Sequence, residues 1–146
     1  MNQKGFIRKI IENNLYLSLA TCDGKNPWIA VVQYVVDENY NFYFISARDS
    51  LHGQHILKNP TVAFTIFDSH QAAGTGDGIQ VLGKARVLSD VQYPAVVVKY
   101  FDALTKIPIN LERYVVFEIK PVRFYVPDTG AWKKEGVDRR QEVKFI

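Results

Sequence analysis

The sequence predicts a mainly β protein, an antiparallel barrel of about six strands with three peripheral helices. Three observations predict it. Apolar and polar residues alternate over residues 15–22 and again over 113–126. The first three strand-like runs follow one another through short turns, as in a meander. Strands and helices show no βαβ rhythm, which argues against a parallel nucleotide-binding sheet.

The elements follow in order. Residues 4–13 read as a short helix, with Phe6, Ile7, Ile10 and Ile11 on one face and Asn13 and Asn14 to end it. Leu15, Leu17 and Leu19 then alternate with Tyr16, Ser18 and Ala20. Asp23 and Gly24 mark a hairpin turn. Residues 28–36 form a second strand, opened by Pro27 where a missing N–H costs least. A polar turn over 37–41 leads to a third strand, 42–46. Ser50 can cap a helix over 50–59, which ends where Asn59 precedes Pro60. Strands at 61–67 and 79–88 flank a glycine-bearing loop. Ser89 or Asp90 can cap a third helix running to about Leu104. Residues 113–126 make one long strand or two broken near Pro121. The end of the chain, 127–146, is polar and charged apart from Trp132, Val137, Val143 and Phe145, and reads as a solvated tail of a single domain spanning 1–146.

Composition bounds the function. The chain has 146 residues and is 47% hydrophobic, enough to bury a core. A net charge of +3 is too modest and too scattered for a nucleic-acid binder. The single cysteine, Cys22, cannot form an internal disulfide and is read as a small strand residue. No stretch approaches the ~20 apolar residues of a membrane span, and the charged N-terminus lacks a signal-peptide core, so the cytoplasm is the expected location.

Chemistry concentrates where the third strand ends. Ser46, Arg48, Ser50 and His52 fall within seven residues, at the start of a helix. A helix N-terminus offers unpaired N–H groups and partial positive charge to an anion. Serine hydroxyls can donate to phosphate oxygens, and Arg48 can add a charge-assisted bond. His52 adds charge if a phosphate raises its pKa. The same spacing also fits a plain capped helix with an exposed arginine and two surface histidines. His52 and His55 share a helical face, but a metal would need a third ligand and supporting contacts. The run Gly74, Thr75, Gly76, Asp77, Gly78 lacks nucleotide-loop spacing and precedes a strand, so it reads as a flexible loop or a rim over a ligand.

This segment resembles the phosphate-binding stretch of the pyridoxamine-phosphate oxidase-like, flavin-binding split-barrel family. There a strand ends in Thr or Ser, a serine-bearing turn and short helix follow, and Asn-Pro-x-Val closes the unit, here Asn59, Pro60, Thr61 and Val62. The hairpin Leu19, Ala20, Thr21, Cys22, Asp23, Gly24, the proline-led strand 27–34, and Gly83, Lys84, Ala85 fit the same plan. The resemblance covers residues 5–126. It implies a six-stranded antiparallel split β-barrel that dimerises about a two-fold axis, with FMN held between the subunits. It implies that Ser46, Arg48, Ser50 and His52 bind the phosphate, that the backbone of Val31, Val32 and Gln33 runs along the isoalloxazine ring, and that Gln80 reaches the ring from the other side. Trp132 and Lys133 of the tail would then lie over the partner's flavin, where tryptophan can stack and lysine can stabilise a reduced ring.

Three departures matter. Leu51 and His52 stand where the family's oxidases carry an Arg-Lys pair. Gln80 lies three residues before Gly83 instead of five, which keeps the strand face but moves the side chain about 7 Å. The arginine-rich C-terminal motif that grips pyridoxamine phosphate is missing. The expectation is therefore an FMN-dependent oxidoreductase of unknown substrate, not a pyridoxamine-phosphate oxidase, with no side chain nominated as catalytic. FAD, a deazaflavin or haem stay open as ligands. A non-catalytic flavin- or haem-binding module, or a split barrel without cofactor, are the alternatives.

Overall fold

A computed structural model describes residues 2–88, 93–104, 106 and 111–146. Helix α1 (Gln3–Glu12) is capped by Asn2, whose Oδ1 accepts the Gly5 N–H at 2.7 Å, and it buries Ile7, Ile10 and Ile11. Strands β1 (Tyr16–Cys22) and β2 (Pro27–Gln33) form the expected hairpin. Its turn is fixed by the Asp23 carboxylate, which takes the N–H groups of Lys25 and Asn26, and by Gly24 at φ 105°. Those bonds hold the Asp23 carboxyl down at about 2.

The second strand does not continue to residue 36 as the sequence predicts. It breaks at Tyr34, and Val35–Val36 (β3) pairs instead with β4 (Phe42–Ala47). At the break the Tyr34 side chain turns inward. It is buried, and it donates to the carbonyls of Ile11 and Asn14, at 2.7 and 3.0 Å. A buried phenol needs such partners, and the Tyr34 backbone N–H still donates to the Leu15 carbonyl at 3.1 Å, so the chain changes partner strand only from Val35 on.

Then come α2 (Leu51–Lys58), β5 (Thr61–Phe67), β6 (Gly78–Val87), α3 (Ala95–Leu104), β7 (Tyr114–Pro127), α4 (Thr129–Glu135) and β8 (Arg140–Val143). The expected caps Ser89 and Asp90 lie outside the described residues. The sheet order is β2-β1-β5-β6-β7-β4-β3, with β8 on β7 and every pair antiparallel. Its two ends, β2 and β3, are consecutive in the chain, so the sheet curls on itself. The fold is a split barrel. Among the described residues it has eight strands, where the sequence predicts about six: the break at Tyr34 adds β3, and the tail adds β8.

Two cores result. Inside the curl, Leu17, Leu19, Phe42, Phe64, Ile66, Ile79 and Ile119 pack with the α1 isoleucines, and Phe44 stacks on Phe117 at 4.9 Å. On the outer face of β4 and β7, Tyr43, Val116 and Leu88 pack beneath Val97 of α3. Hence β4 does not alternate: both of its faces are covered. β7 stays one strand past Pro121 because the register against β6 shifts between Leu82 and Gly83. There a Cβ on Gly83 would stand 2.7 Å from Ile119 Cγ2 and 2.9 Å from the Lys120 carbonyl oxygen.

The tail is not a loose solvated end. Asp128 caps α4 by accepting the N–H groups of Gly130 and Ala131, and Gly136 closes it in the left-handed region. Phe145 then sits against Tyr40 and Phe124, with ring centres 4.7 and 4.8 Å away. Among the described residues, no helix is long and apolar enough to cross a membrane.

Candidate functional site

The split in the barrel is a seam between β2 and β4. Val35 opposes Tyr43 and Val36 opposes Phe42. Continuing that register would set Val32 opposite Ser46 and Val31 opposite Ala47. Among the described residues no ladder joins β2 to β4, and β2 pairs only with β1. The seam-side edge of β2 at Val31, Val32 and Gln33 therefore has backbone polar groups free for a ligand. On β2, Ile29, Val31 and Gln33 face outward, with Val31 70% exposed, while Val32 is buried in the barrel.

At the β4 end of the seam, three predicted side chains come together. The Ser46 hydroxyl lies 2.7 Å from His52 Nε2 and donates to Ser50 Oγ at 3.5 Å. Ser50 caps α2, accepting the Gly53 N–H at 3.2 Å. Gly53 is packed so closely here that a Cβ would meet Ser50 Oγ at 2.8 Å. The two histidines of α2 are not surface groups. His55 is buried, its Nδ1 3.1 Å from the Thr21 hydroxyl. His52 is half-buried, with its ring centre 6.1 Å from Phe44 and 6.5 Å from Phe117. Burial first, and then the nearby His55, push the His52 imidazole below its ordinary value of 6.5. The neutral form is thus favoured in the absence of an anion.

Arg48 is exposed and lines a cleft of about 460 Å³ with Asp49, Gln54, Glu112 and Arg113. Its backbone N–H donates to the Arg113 carbonyl at 3.2 Å, so two arginines start side by side where β4 leaves its ladder with β7. Arg113 faces Asp49 at 3.9 Å.

The remaining candidates lie elsewhere on the chain. Gln80 points outward from β6 into a groove of about 450 Å³, floored by Ala20, Ile29, Ala63 and Leu82 and closed by Tyr125 and Arg140. Trp132, on α4, borders a smaller cleft of about 200 Å³ with Gly74, Thr75 and Gly76 opposite. Lys133 beside it is exposed. The glycine loop is pinned: the Gln71 amide donates to the Asp77 carbonyl at 2.8 Å and accepts the Asp77 N–H, like a rung of sheet. Among the described residues no cluster of three or more His, Cys, Asp or Glu is placed to hold a metal.

Sequence reasoning missed three groups. Arg113 lies just before β7, 65 residues after Arg48, and only the β4–β7 register brings them together. Tyr100 of α3 donates to Gln33 Oε1 at 3.2 Å. The buried Glu118, 5% exposed, takes Arg86 Nε at 2.8 Å, and the Tyr43 hydroxyl lies between Glu118 and Asp37, at 3.3 and 3.0 Å. Glu118 had a sequence signal, a lone acid in an apolar strand.

A model of the pyridoxamine 5'-phosphate oxidase family matches residues 4–126. The chain belongs to that family. Solved structures with the same fold include three from bacteria. General stress protein 26 of Bacillus anthracis is 21% identical, with 98% of this chain and 100% of that one covered and a TM-score of 0.68. The haem storage protein HutZ of Vibrio cholerae is 15% identical, with 86% and 95% covered and a TM-score of 0.67. A FAD-binding protein of Mesorhizobium loti is 18% identical, with 85% and 92% covered and a TM-score of 0.62. No curated protein sequence matches the chain significantly.

Proposed function

We propose that this protein binds FMN in the seam between β2 and β4 and serves as an FMN-dependent oxidoreductase for a small-molecule substrate. The observation that carries the reading is the seam itself. An unpaired strand edge at Val31, Val32 and Gln33 faces a strand whose end delivers Ser46, Ser50, His52 and the α2 N-terminus. The fit is chemical. A ring can lie along the free backbone edge, and a phosphate can take the serine hydroxyls, the first-turn N–H groups and Arg48. FMN supplies the redox step when bound, and the protein positions and tunes it.

The reading includes a homodimer. The outer faces of β1, β2 and β6 leave Tyr16, Ile29, Val31 and Leu82 exposed around the Gln80 groove, an apolar surface suited to a second copy. Gln80, Trp132 and Lys133 would then serve the partner's flavin, which accounts for their distance from the phosphate corner along the fold. Pyridoxamine-phosphate oxidation is not part of the proposal, because its arginine-rich C-terminal motif is missing here. Haem is the weaker ligand: the His52 and His55 rings are engaged by Ser46 and Thr21, and His70 lies exposed beside Asp68.

A visible spectrum of the purified protein with added FMN tests the reading. Bands near ~375 and ~450 nm that bleach with NAD(P)H support an FMN oxidoreductase. A Soret band, or a protein that ignores FMN, sinks it. A flavin that binds but turns over with no reductant or acceptor leaves a carrier, not an enzyme.

A further inference from the structure

The outward end of β2 is met by α3. That helix is anchored through Val97, buried over Tyr43, Leu88 and Val116, and through Tyr93 stacked on Phe101 at 5.5 Å. The anchor holds Tyr100 where its hydroxyl donates to Gln33 Oε1 at 3.2 Å. An amide has one accepting end and one donating end. With Oε1 engaged by the phenol, the NH2 is the end left to offer.

We infer that Tyr100 is a positioning residue of the proposed flavin site, turning the Gln33 amide so that its NH2 donor, not its carbonyl, is presented to the ring along β2. The inference rests on the flavin reading above. Tyr100 suits the role because it stays protonated. Burial, and then the neighbouring Tyr16 phenol, push its pKa up, and Tyr16 is the register partner of Gln33 on β1. A donor aimed at the ring stabilises whatever gains negative charge on reduction, so it favours reduced over oxidised flavin.

The test measures FMN affinity and the flavin midpoint potential for the wild type, Tyr100→Phe, Gln33→Leu and the double variant. Tyr100→Phe should weaken FMN binding about three- to tenfold and shift the potential negative. Gln33→Leu should do the same, and Tyr100→Phe should add nothing on top of it. Gln33→Glu, which exchanges donor for acceptor, should drive the potential further negative than Gln33→Leu; this arm stands even if Tyr100→Phe folds poorly. An unchanged potential in Tyr100→Phe, equal losses in both Gln33 backgrounds, or equal potentials for the Leu and Glu variants overturn the role of Tyr100 while leaving the flavin reading intact. A wild type that takes up no FMN overturns both.

Discussion

The Ser46 hydroxyl and the His52 imidazole lie 2.7 Å apart across the turn between β4 and α2, in a setting that keeps the imidazole neutral. The pH consequence follows from linkage. The folded pKa lies below the unfolded one, so the unfolded chain binds the proton first, and stability falls as pH drops through the ordinary histidine range toward the lowered value. The charged groups on neighbouring segments are Arg48, Asp49, Glu112 and Arg113, with His55 on the same helix. His52→Gln should flatten the fall in melting temperature between pH 7.5 and 5.5. Saturating FMN should flatten it too, because a phosphate dianion stabilises imidazolium, whereas riboflavin should not. Identical slopes for His52→Gln and wild type would remove His52 from the explanation.

Arg48→Ala should weaken FMN by about 1.5 kcal/mol, roughly tenfold, as expected for one exposed charge-assisted bond. Riboflavin, which lacks the phosphate, should bind both proteins alike. Titration by flavin fluorescence quenching reads both values, and an equal loss for the two flavins would move Arg48 away from the phosphate.

Gly83→Ala should cost about 2–3 kcal/mol in urea unfolding. The added methyl meets the Lys120 carbonyl at the register shift, where backbone on both strands blocks relief. A neutral result would mean that the β6–β7 bulge is softer than its packing.

Tyr43→Phe should cost about 1–2 kcal/mol at neutral pH, because one phenol proton lies between two carboxylates. Burial alone would raise the Asp37 carboxyl, but bonds from Asn41, Tyr43 and Asn39 outweigh it and hold the carboxyl below its ordinary 3.8. The Asp37 contribution is therefore complete above the ordinary value and lost as pH falls through the lowered one. The gap between the two proteins should narrow in acid. A gap constant down to pH 2 would place the cost in packing rather than in this proton.

Much of the barrel was legible because its information is local. The β1–β2 turn is written in Asp23 and Gly24, and the α2 cap in Ser50. The break at Tyr34 was not legible: a tyrosine inside a β-rich run looks like strand, and the partners of its phenol, the Ile11 and Asn14 carbonyls, lie far upstream in the chain. The tail was misread for the same reason, since Phe145 has no partner until Tyr40 and Phe124 are brought to it. At the candidate site, Ser46, Ser50 and His52 are near neighbours in sequence and were found together. Arg113, Tyr100 and the burial of His55 depend on register and helix placement, which a single sequence does not print.

The two lips of the seam are unequal. β4 is clamped between the barrel interior and α3, so it has no slack. Among the described residues β2 pairs as a strand with β1 alone, tied otherwise through buried Val32 and the Tyr100–Gln33 bond, with Trp28, Ile29 and Val31 turned to water. An arriving molecule meets one stiff jaw and one yielding jaw. Anything that seals the bare side of the yielding jaw, a second copy first of all, would also set the width of the opening, so grip and assembly become one equilibrium.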